Sequence, residues 1–290
     1  VLEAEQPDAF LVLGDTNSAL SLIMAKRKRI PTYHMEAGNR CFDANVPEEI
    51  NRRLVDHTAE FNLAYTEHAR RNLLAEGLHP RRVIVTGSPM TEVLEQHADA
   101  IEASTALTDL GVEPGQYFLV SAHREENVDS PERLRALLGC LNAVASEWQL
   151  PVLVSTHPRT RKRLEQVQDT PISEIARFHE PFGFLDYNRL QMSAACVLSD
   201  SGTIAEESTI LGFPAVTLRS SIERPEALDT GAITMTDLDP AAVLRGIRFA
   251  MSREDLPERP ADYRITNTSE RVVNFILSTA FQHEFWSGLR

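Results

Sequence analysis

Short apolar runs alternate with longer amphipathic segments along most of the chain. The apolar runs have the length of strands, and the segments between them carry apolar residues at helical spacing. Regular alternation of strand and helix predicts βαβ units whose parallel sheet is covered on both faces. Apolar residues have helical spacing at 50, 54 and 55, and at 134, 137, 138 and 141. The predicted strands are 9–14, 31–35, 61–65, 82–86, 117–122, 151–155, 176–179, 194–199 and 214–218.

A polar stretch rich in turn residues divides this pattern. Residues 98–117 contain Gly111 and the Pro114-Gly115 pair and lead into a new strand, which is typical of a domain boundary. Only about four strands precede the boundary, which is few for a doubly wound domain. We therefore predict an incomplete N-terminal Rossmann-like domain at 1–105, a C-terminal Rossmann-like domain at 106–260, and a closing helix in 261–290 that packs back toward the first domain.

Charge and cysteine usage exclude several classes of function. The formal net charge of −13 over 290 residues argues against a nucleic-acid or membrane-surface binder, because both need a basic face. The cysteines have neither metal-ligand spacing nor the pattern of a disulfide framework, and no apolar run is long enough to span a bilayer. We expect a cytoplasmic protein without nucleic-acid or membrane partners.

Polar side chains follow most of the predicted strands. In parallel α/β sheets, ligands bind at the carboxyl ends of the strands, so these groups are expected to line two sheet edges that face a cleft. Polar residues are also common wherever a strand ends, and position alone leaves that explanation open. The residues concerned are Asp15, Glu36, His123, Arg124, Thr156, His157, Glu180, Asp200, Ser201 and Arg224.

The segment Ser199–Gly202 ends an apolar run and leads directly into a helical pattern. Thr203 and Glu206 have the spacing of a capping box, which would satisfy the first free N–H groups of the helix. Alternatively, Gly202 lets a phosphate approach those N–H groups, and a glutamate one turn later, such as Glu207, accepts hydrogen bonds from a ribose. The segment is neither a Walker loop nor a G-x-G-x-x-G motif, so both interpretations stay open.

Two other motifs are also ambiguous when read by spacing. Pro47 with Glu48 and Glu49 is an ordinary helix start, favoured by the fixed φ of proline and by the helix dipole. His123 at a strand end either relays protons near neutral pH or pairs with one of the glutamates that follow it.

Seven motifs taken together resemble a known family, the non-hydrolysing UDP-N-acetylglucosamine 2-epimerases. The resemblance covers nearly the whole chain. The sequences HMEAGNRCFD and SAHREEN are most similar to those of the capsule and O-antigen branch. Members of that branch make UDP-N-acetyl-L-fucosamine or epimerise UDP-2,3-diacetamido-glucuronate. The motifs are G-D-T at 14–16, H-M-E-A-G-N-R at 34–40, P-E-E-I-N-R at 47–52, T-G-S-P at 86–89, A-H-R-E-E-N at 122–127, D-S-G-T-I-A-E-E at 200–207 and E-R-P-E-A at 223–227.

The resemblance implies an isomerase with two Rossmann-like domains in the glycosyltransferase-B arrangement and its active site in the cleft. It implies a reaction at the sugar C2 without NAD or a metal, in bacterial polysaccharide precursor synthesis. A base removes the C2 proton while UDP leaves C1, and the resulting 2-acetamidoglycal is protonated on its other face before UDP returns. A UDP-sugar is the expected substrate, and a homodimer is the expected assembly.

Roles follow from the motifs residue by residue. The resemblance implies that the acid and base are among Asp15, Glu36 and Glu48, without saying which is which, and that His123 supports the diphosphate or leaving group. Ser201 and Gly202 are then expected to bind phosphate and Glu207 the ribose. The residues expected to bind UDP or the sugar are Arg40, Arg124, His157, Ser201, Gly202, Glu207 and Arg224.

One family feature is missing, and other functions remain in competition. Family members begin with a strand and a G-T-R-P-E loop that serves the active site, and the sequence contains no such loop. About 80 residues, or two βαβ units, are therefore expected to be absent, and we expect the chain as written to be an inefficient epimerase. The alternatives are a UDP-sugar glycosyltransferase of the same fold, a hydrolysing 2-epimerase that releases N-acetylmannosamine, and a non-enzymatic UDP-binding protein.

Overall fold

The computed structural model describes residues 1–44, 46–156, 158–164, 167, 169–255 and 257–287. Its strands are β1 (Phe10–Leu13), β2 (Thr32–Met35), β3 (Phe61–Ala64), β4 (Val83–Val85), β5 (Phe118–Ser121), β6 (Val152–Ser155), β7 (Ala176–His179), β8 (Cys196–Ser199), β9 (Ala215–Thr217) and β10 (Ile233–Met235).

Most of the helices lie between successive strands, as the βαβ pattern predicts. They are α1 (Leu2–Glu5), α2 (Leu22–Arg27), α3 (Pro47–Thr58), α4 (Glu67–Ala75), α5 (Met90–Gln96), α6 (Ala98–Glu102), α7 (Ala106–Leu110), α8 (Glu125–Val128), α9 (Pro131–Trp148), α10 (Pro158–Leu164), α11 (Phe184–Ser193), α12 (Ile204–Leu211), α13 (Glu226–Asp229), α14 (Pro240–Met251), α15 (Thr268–Thr279) and α16 (His283–Ser287). Short 3₁₀ turns occur at Asn17–Ser21, Pro80–Arg82, Ala261–Arg264 and Ala280–Gln282. No helix in the described ranges is both long enough and apolar enough to cross a membrane.

The chain forms two compact units. Unit 1 consists of Val1–Val93, Ser221–Arg224 and Ala261–Arg290, and unit 2 consists of Leu94–Ser220 and Pro225–Pro260. Each unit contains one all-parallel sheet. The predicted α/β fold class is therefore confirmed, whereas the predicted domain limits of 1–105, 106–260 and 261–290 stay a prediction.

Unit 1 has a four-stranded sheet in the order β1-β2-β3-β4. An aromatic cluster covers one face of its central strands. The rings of Tyr33 and Phe61 stack at 5.2 Å, and Phe275 of α15 meets both edge-on. The Tyr33 hydroxyl also forms a 2.8 Å hydrogen bond with Thr279. Helix α15, from the end of the chain, is thus part of the core of unit 1.

Unit 2 has a six-stranded sheet in the order β10-β9-β8-β5-β6-β7. Strand β5 lies between β6 and β8. From β5 the chain forms β6 and β7 on one side, and it then crosses over to form β8, β9 and β10 on the other side. Such a reversal of strand order opens a crevice at the carboxyl ends of the strands, where α/β proteins bind ligands. The segments that follow β5 and β8 are therefore neighbours at this edge.

Each predicted strand contains an observed one, and β10 is the one strand among the described residues that the sequence pattern missed. That strand has three residues and begins two residues after Gly231, which has a left-handed φ of 69°. A run this short is too brief to show a period, and it is a strand because it pairs with β9.

Helix α3 buries a face that its apolar residues do not predict. Ile50 and Leu54 are each 49% exposed, whereas Glu49, Arg52 and Asp56 are buried. Charged groups are buried only when they are paired, and these three side chains all have ion-pair or hydrogen-bond partners within unit 1. Val55 of the same helix is also fully buried, so ion pairing and the burial of Val55 together set the rotation of α3.

Candidate active site

The first group of candidate residues lies where β1 and β2 end in unit 1. Gly14 follows β1 with a φ of 77°, and Glu36 follows β2 with a φ of 65°. A Cβ atom at Gly14 would lie 3.3 Å from Glu36 Oε2, so glycine keeps space for that carboxylate. A non-glycine residue in the left-handed region is uncommon and is concentrated at functional sites. This observation makes Glu36 a stronger candidate than its sequence position alone.

Arg52 lies at the centre of this group. Its Nη2 donates to the Asp15 carboxylate, lies 3.4 Å from Glu223 Oε2 and 3.7 Å from Glu36 Oε1. Arg224 Nη2 donates to Glu36 Oε1 at 2.7 Å. Unit 1 therefore gathers three carboxylates and two guanidinium groups, and the Arg52 side chain is only 2% exposed.

The environment of Asp15 favours its protonated form. Burial is the main cause that raises its pKa, and the negative charges of Glu36, Glu223 and Glu48 raise it further, against the opposing charge of Arg52. A carboxyl group with a raised pKa is suited to general acid–base chemistry near neutral pH. Glu48 itself is exposed in the first turn of α3, so it acts on Asp15 as a nearby charge.

A second network of ion pairs in unit 1 is centred on Arg40. Arg40 Nη1 lies 2.7 Å from Asp56 Oδ2, and Arg40 Nε and Nη2 donate to the two oxygens of Glu76 at 2.8 and 2.7 Å. Burial lowers the pKa of Arg40, but its bonds to Glu76 and Asp56 outweigh that effect and raise the pKa overall. Arg40, which the resemblance implies to be a binding residue, is buried and occupied by these two partners.

The second group lies in unit 2, around the buried carboxylate of Asp200 at the end of β8. Asp200 accepts hydrogen bonds from the backbone N–H groups of His123 and Arg124 at 3.1 Å and from Asn127 Nδ2 at 3.0 Å. The side chain of His123 is 48% exposed, with Nδ1 at 3.6 Å from Asp200 Oδ1. Asp200 thus fixes the loop after β5 and leaves the His123 imidazole accessible.

The turn after Asp200 does not form the predicted capping box. The Thr203 backbone is already helical, and its hydroxyl lies 2.9 Å from Ser201 Oγ instead of accepting from a helix N–H group. The N–H groups of Glu206 and Glu207 donate to the backbone carbonyl of Thr203. The capping-box interpretation is therefore wrong, because the serine–threonine contact uses the side chain that the box requires.

Glu207 is held by a neighbouring helix. Its Oε2 accepts a 2.7 Å hydrogen bond from Gln191 Nε2 of α11. The negative charge of Glu207, after burial, raises the pKa of Tyr187, so the Tyr187 hydroxyl keeps its proton and remains a donor. These two side chains offer an acceptor and a donor at the same edge of unit 2.

A cavity of about 270 Å³ opens beside these groups within unit 2. Aromatic rings and serine hydroxyls make up most of its wall, which suits a flat heterocyclic ring with polar edges. Its lining includes Ser121, His123, Ser155, Phe182, Phe184 and Tyr187.

The predicted site residues therefore fall into separate groups. Unit 1 brings together Asp15, Glu36 and Arg224, and it also contains the exposed Glu48 and the buried Arg40. Unit 2 contains His123, Arg124, Ser201, Gly202 and Glu207. His157 lies outside the described residues. In the part of the chain that the structure describes, no cluster of three His, Cys, Asp or Glu side chains is arranged to hold a metal ion.

Two residues of these groups, Arg52 and Glu223, were not among the predicted site residues, and Asp200 was predicted to line a sheet edge but was given no role of its own. Arg52 and Glu223 complete the charge cluster of unit 1, and Asp200 organises the loop of unit 2. All three stand inside the quoted motifs, so motif membership was the signal that pointed to them. Spacing alone assigned Arg52 to an ordinary helix start.

Comparison with known proteins identifies the family. A family model described as UDP-N-acetylglucosamine 2-epimerase matches residues 1–277. The chain belongs to this family. Its relatives are named as epimerases, so the chain is assigned to the isomerases.

Two solved structures and one characterised relative illustrate the similarity. The Rickettsia bellii UDP-N-acetylglucosamine 2-epimerase is 42% identical, with a TM-score of 0.88 over 98% of this chain and 76% of that one. The Methanocaldococcus jannaschii enzyme in complex with UDP-GlcNAc and UDP is 32% identical, with a TM-score of 0.88 over 96% and 77%. The UDP-2,3-diacetamido-2,3-dideoxy-D-glucuronate 2-epimerase of Pseudomonas aeruginosa is 31% identical and aligns over 87% of this chain and 70% of its own length.

Proposed function

We propose that this protein inverts C2 of a UDP-linked 2-acetamido sugar by eliminating UDP and adding it back. The observation that carries the proposal is the charge cluster of unit 1, in which Asp15 and Glu36 stand at adjacent strand ends and each is paired with an arginine. Removal and return of a proton at carbon need two carboxyl groups that hold protons differently. The raised pKa of Asp15 is such a difference.

The proposed reaction begins with the loss of the C2 proton to a carboxylate. The electron pair of that C–H bond forms the C1–C2 double bond, and the C1–O bond breaks so that UDP departs with its electrons. We assign the basic role to Glu36, whose charge Arg224 stabilises, and the proton-donating role to Asp15. Protonation of the glycal at C2 on the opposite face and attack of UDP on C1 complete the inversion.

The groups of unit 2 are proposed to bind UDP. Helix α12 has eight residues, and its amino end with the Ser201-Gly202 turn offers N–H groups and a partial positive charge to phosphate. His123 and Arg124 are proposed to neutralise the charge of the leaving diphosphate, and Glu207 to accept from the ribose. The aromatic cavity beside them fits the uracil ring. The similar Methanocaldococcus enzyme was solved in complex with UDP-GlcNAc and UDP, which supports a UDP-sugar as the ligand.

The substrate is proposed to be a modified sugar rather than UDP-N-acetylglucosamine itself. The sequences of the motifs at 34–43 and 121–127 resemble those of the capsule and O-antigen branch. One relative is named for a diacetamido-glucuronate substrate. We accordingly propose a role in bacterial polysaccharide precursor synthesis, with a homodimer as the working form.

Hydrogen exchange at C2 tests the proposal. The full-length gene product is incubated in D2O with UDP-GlcNAc, UDP-N-acetyl-6-deoxy-L-talosamine or UDP-2,3-diacetamido-glucuronate, and C2 is followed by NMR. We expect deuterium at C2 together with a new epimer for one of these sugars. Release of free N-acetylmannosamine would identify a hydrolysing enzyme, and UDP binding without exchange on any sugar would favour a transferase or a binding protein.

Two variants separate chemistry from binding. We expect Asp15→Asn and Glu36→Gln to lower the exchange rate by roughly 100-fold or more, as for loss of an acid or base. Their affinity for UDP is expected to stay unchanged, because the proposed UDP-binding groups lie in unit 2. Asp8→Asn is the matched control, since Asp8 is an exposed carboxylate of the same unit. Full exchange in both site variants would refute the assignment of the carboxylates.

A further inference from the structure

His34 on β2 is a fully buried histidine with a hydrogen-bond partner on each ring nitrogen. Its Nε2 lies 2.8 Å from the carbonyl oxygen of Gly14, and its Nδ1 lies 2.8 Å from Asp56 Oδ1. The side chains of both His34 and Asp56 are 0% exposed. Nothing in the proposed reaction uses this ring, so its place in the core needs a separate explanation.

The two partners decide how many protons the ring carries. A backbone carbonyl only accepts hydrogen bonds, so Nε2 must carry a proton. The other oxygen of Asp56 already accepts from Arg40 Nη1 at 2.7 Å and from the Gly38 N–H at 3.2 Å. A guanidinium and an N–H donor at this distance both favour the ionised carboxylate, which then only accepts. Nδ1 must therefore carry a proton as well.

The charges of the buried network lead to the same conclusion. Arg40 faces two carboxylates, Asp56 and Glu76. Glu76 is ionised, because the hydrogen bond from Arg40 is the main cause that lowers its pKa to about 2. Arg40 is thus shared between two anions, and Arg53 and His57 also reach Glu76 from the solvent side, whereas Asp56 is fully buried. A second proton on His34 places a positive charge next to this buried carboxylate, whose burial is otherwise costly.

We propose that His34 is an imidazolium that positions both proposed catalytic carboxylates. Through Nε2 it holds Gly14, the residue directly before Asp15, and through Asp56 it is linked to Gly38, two residues after Glu36. A neutral imidazole has a single N–H group and would hold only one of the two turns. The protonation state stands on its own, whereas the catalytic consequence rests on the proposed function.

The protonation state can be measured on the protein without substrate. In ¹⁵N-histidine-labelled protein, under the conditions of the exchange assay, we expect one histidine with both ring nitrogens protonated. Its signal is assigned by its absence from the spectrum of His34→Gln, or by its through-bond correlation to β2 if that variant does not fold. A neutral tautomer of His34 under these conditions would overturn the proposal.

Kinetics test the positioning role. Glutamine and asparagine each offer a single side-chain amide, so His34→Gln and His34→Asn are expected to lower kcat by about 100-fold, the cost of misplacing catalytic groups by about 1 Å. KM and UDP affinity are expected to stay unchanged. His79→Gln is the control, since His79 is exposed and its Nδ1 accepts from the Arg81 N–H group.

The proposed function and the positioning role of His34 can be refuted separately. If the wild-type protein shows no exchange at C2 while His34 is doubly protonated, the proposed function is wrong and the imidazolium remains. If the wild-type protein exchanges C2 and His34→Gln keeps its full kcat, the positioning role is wrong. A folded His34→Gln protein that loses UDP affinity and kcat together would also contradict the role, since UDP is proposed to bind in unit 2.

Discussion

Removal of the Arg52 charge provides the sharpest test of the cluster in unit 1. In Arg52→Gln, three carboxylates lose the guanidinium whose Nη2 lies 3.4 Å from Glu223 and 3.7 Å from Glu36 and donates to Asp15. At an effective dielectric constant of about 20, each contact near 3.5 Å is worth about 5 kcal/mol before desolvation is counted. Loss of one partner from a buried ion pair costs a net of about 3–5 kcal/mol, and we expect unit 1 to lose about that much stability.

The loss must depend on pH, and its sign follows from Asp15. The pKa of this carboxyl is already raised in the folded protein, so the folded state binds its proton more tightly than the unfolded state. The stability contributed by such a group falls as pH rises from the unfolded pKa through the folded one. Arg52 opposes this shift, so its removal raises the pKa of Asp15 further. We therefore expect the cost of Arg52→Gln to grow as pH rises from about 4 toward neutrality.

Urea unfolding of unit 1 measures both effects. The chain has two tryptophans, and Trp286 belongs to unit 1 while Trp148 belongs to unit 2. In a Trp148→Phe background, fluorescence therefore reports on unit 1 alone. Arg71→Gln is the matched control, because its side chain is 68% exposed and its partner Glu67 is 43% exposed, and surface ion pairs contribute only about 0–1 kcal/mol. Equal and pH-independent losses in the two variants would refute the reasoning.

Two further predictions concern the same unit. Gly38→Ala is expected to cost several kcal/mol more than Gly77→Ala in urea unfolding. Both glycines have a left-handed φ, but a Cβ at Gly38 would clash with the Ala69 carbonyl oxygen, whereas a Cβ at Gly77 would meet open space. Glu76, whose pKa is lowered to about 2 chiefly by the hydrogen bond from Arg40, contributes stability that is present above pH 4.5 and is lost toward pH 2. Glu76→Gln should remove this part of the acid dependence, and an unchanged acid profile would contradict the expectation.

The strands were predictable because buried parallel strands need continuous apolar runs, and such runs are visible in the sequence. The candidate residues after β1 and β2 were predictable for a related reason, since the fold places ligands at strand ends. Asp15 and Glu36 were found in this way. In these cases, the apolar run determines both where the strand forms and where the side chains that follow it lie.

The remaining features depend on partners that are distant in sequence. Arg52 meets Glu223, which lies 171 residues later, and no local pattern on α3 indicates this contact. The buried polar face of α3 arises from such pairs, and of Ile50, Leu54 and Val55 the apolar spacing indicated burial correctly for Val55 alone. At the start of α12, the hydroxyl of Thr203 could pair with a helix N–H group or with Ser201. The conformation of the turn places it next to Ser201. Spacing identifies the groups that are able to pair but does not select among them.

The composition of unit 1 has a consequence for biosynthesis. Its sheet is complete once β4 has been made, but Val272 and Phe275 of α15, which cover Tyr33 and Phe61, come nearly two hundred residues later. At roughly 5–20 residues per second, the ribosome needs roughly 10–40 s to cover that distance. We expect unit 2 to fold first although it is encoded second. The aromatic face of the nascent unit 1 meanwhile stays exposed, which makes it a binding surface for chaperones during translation.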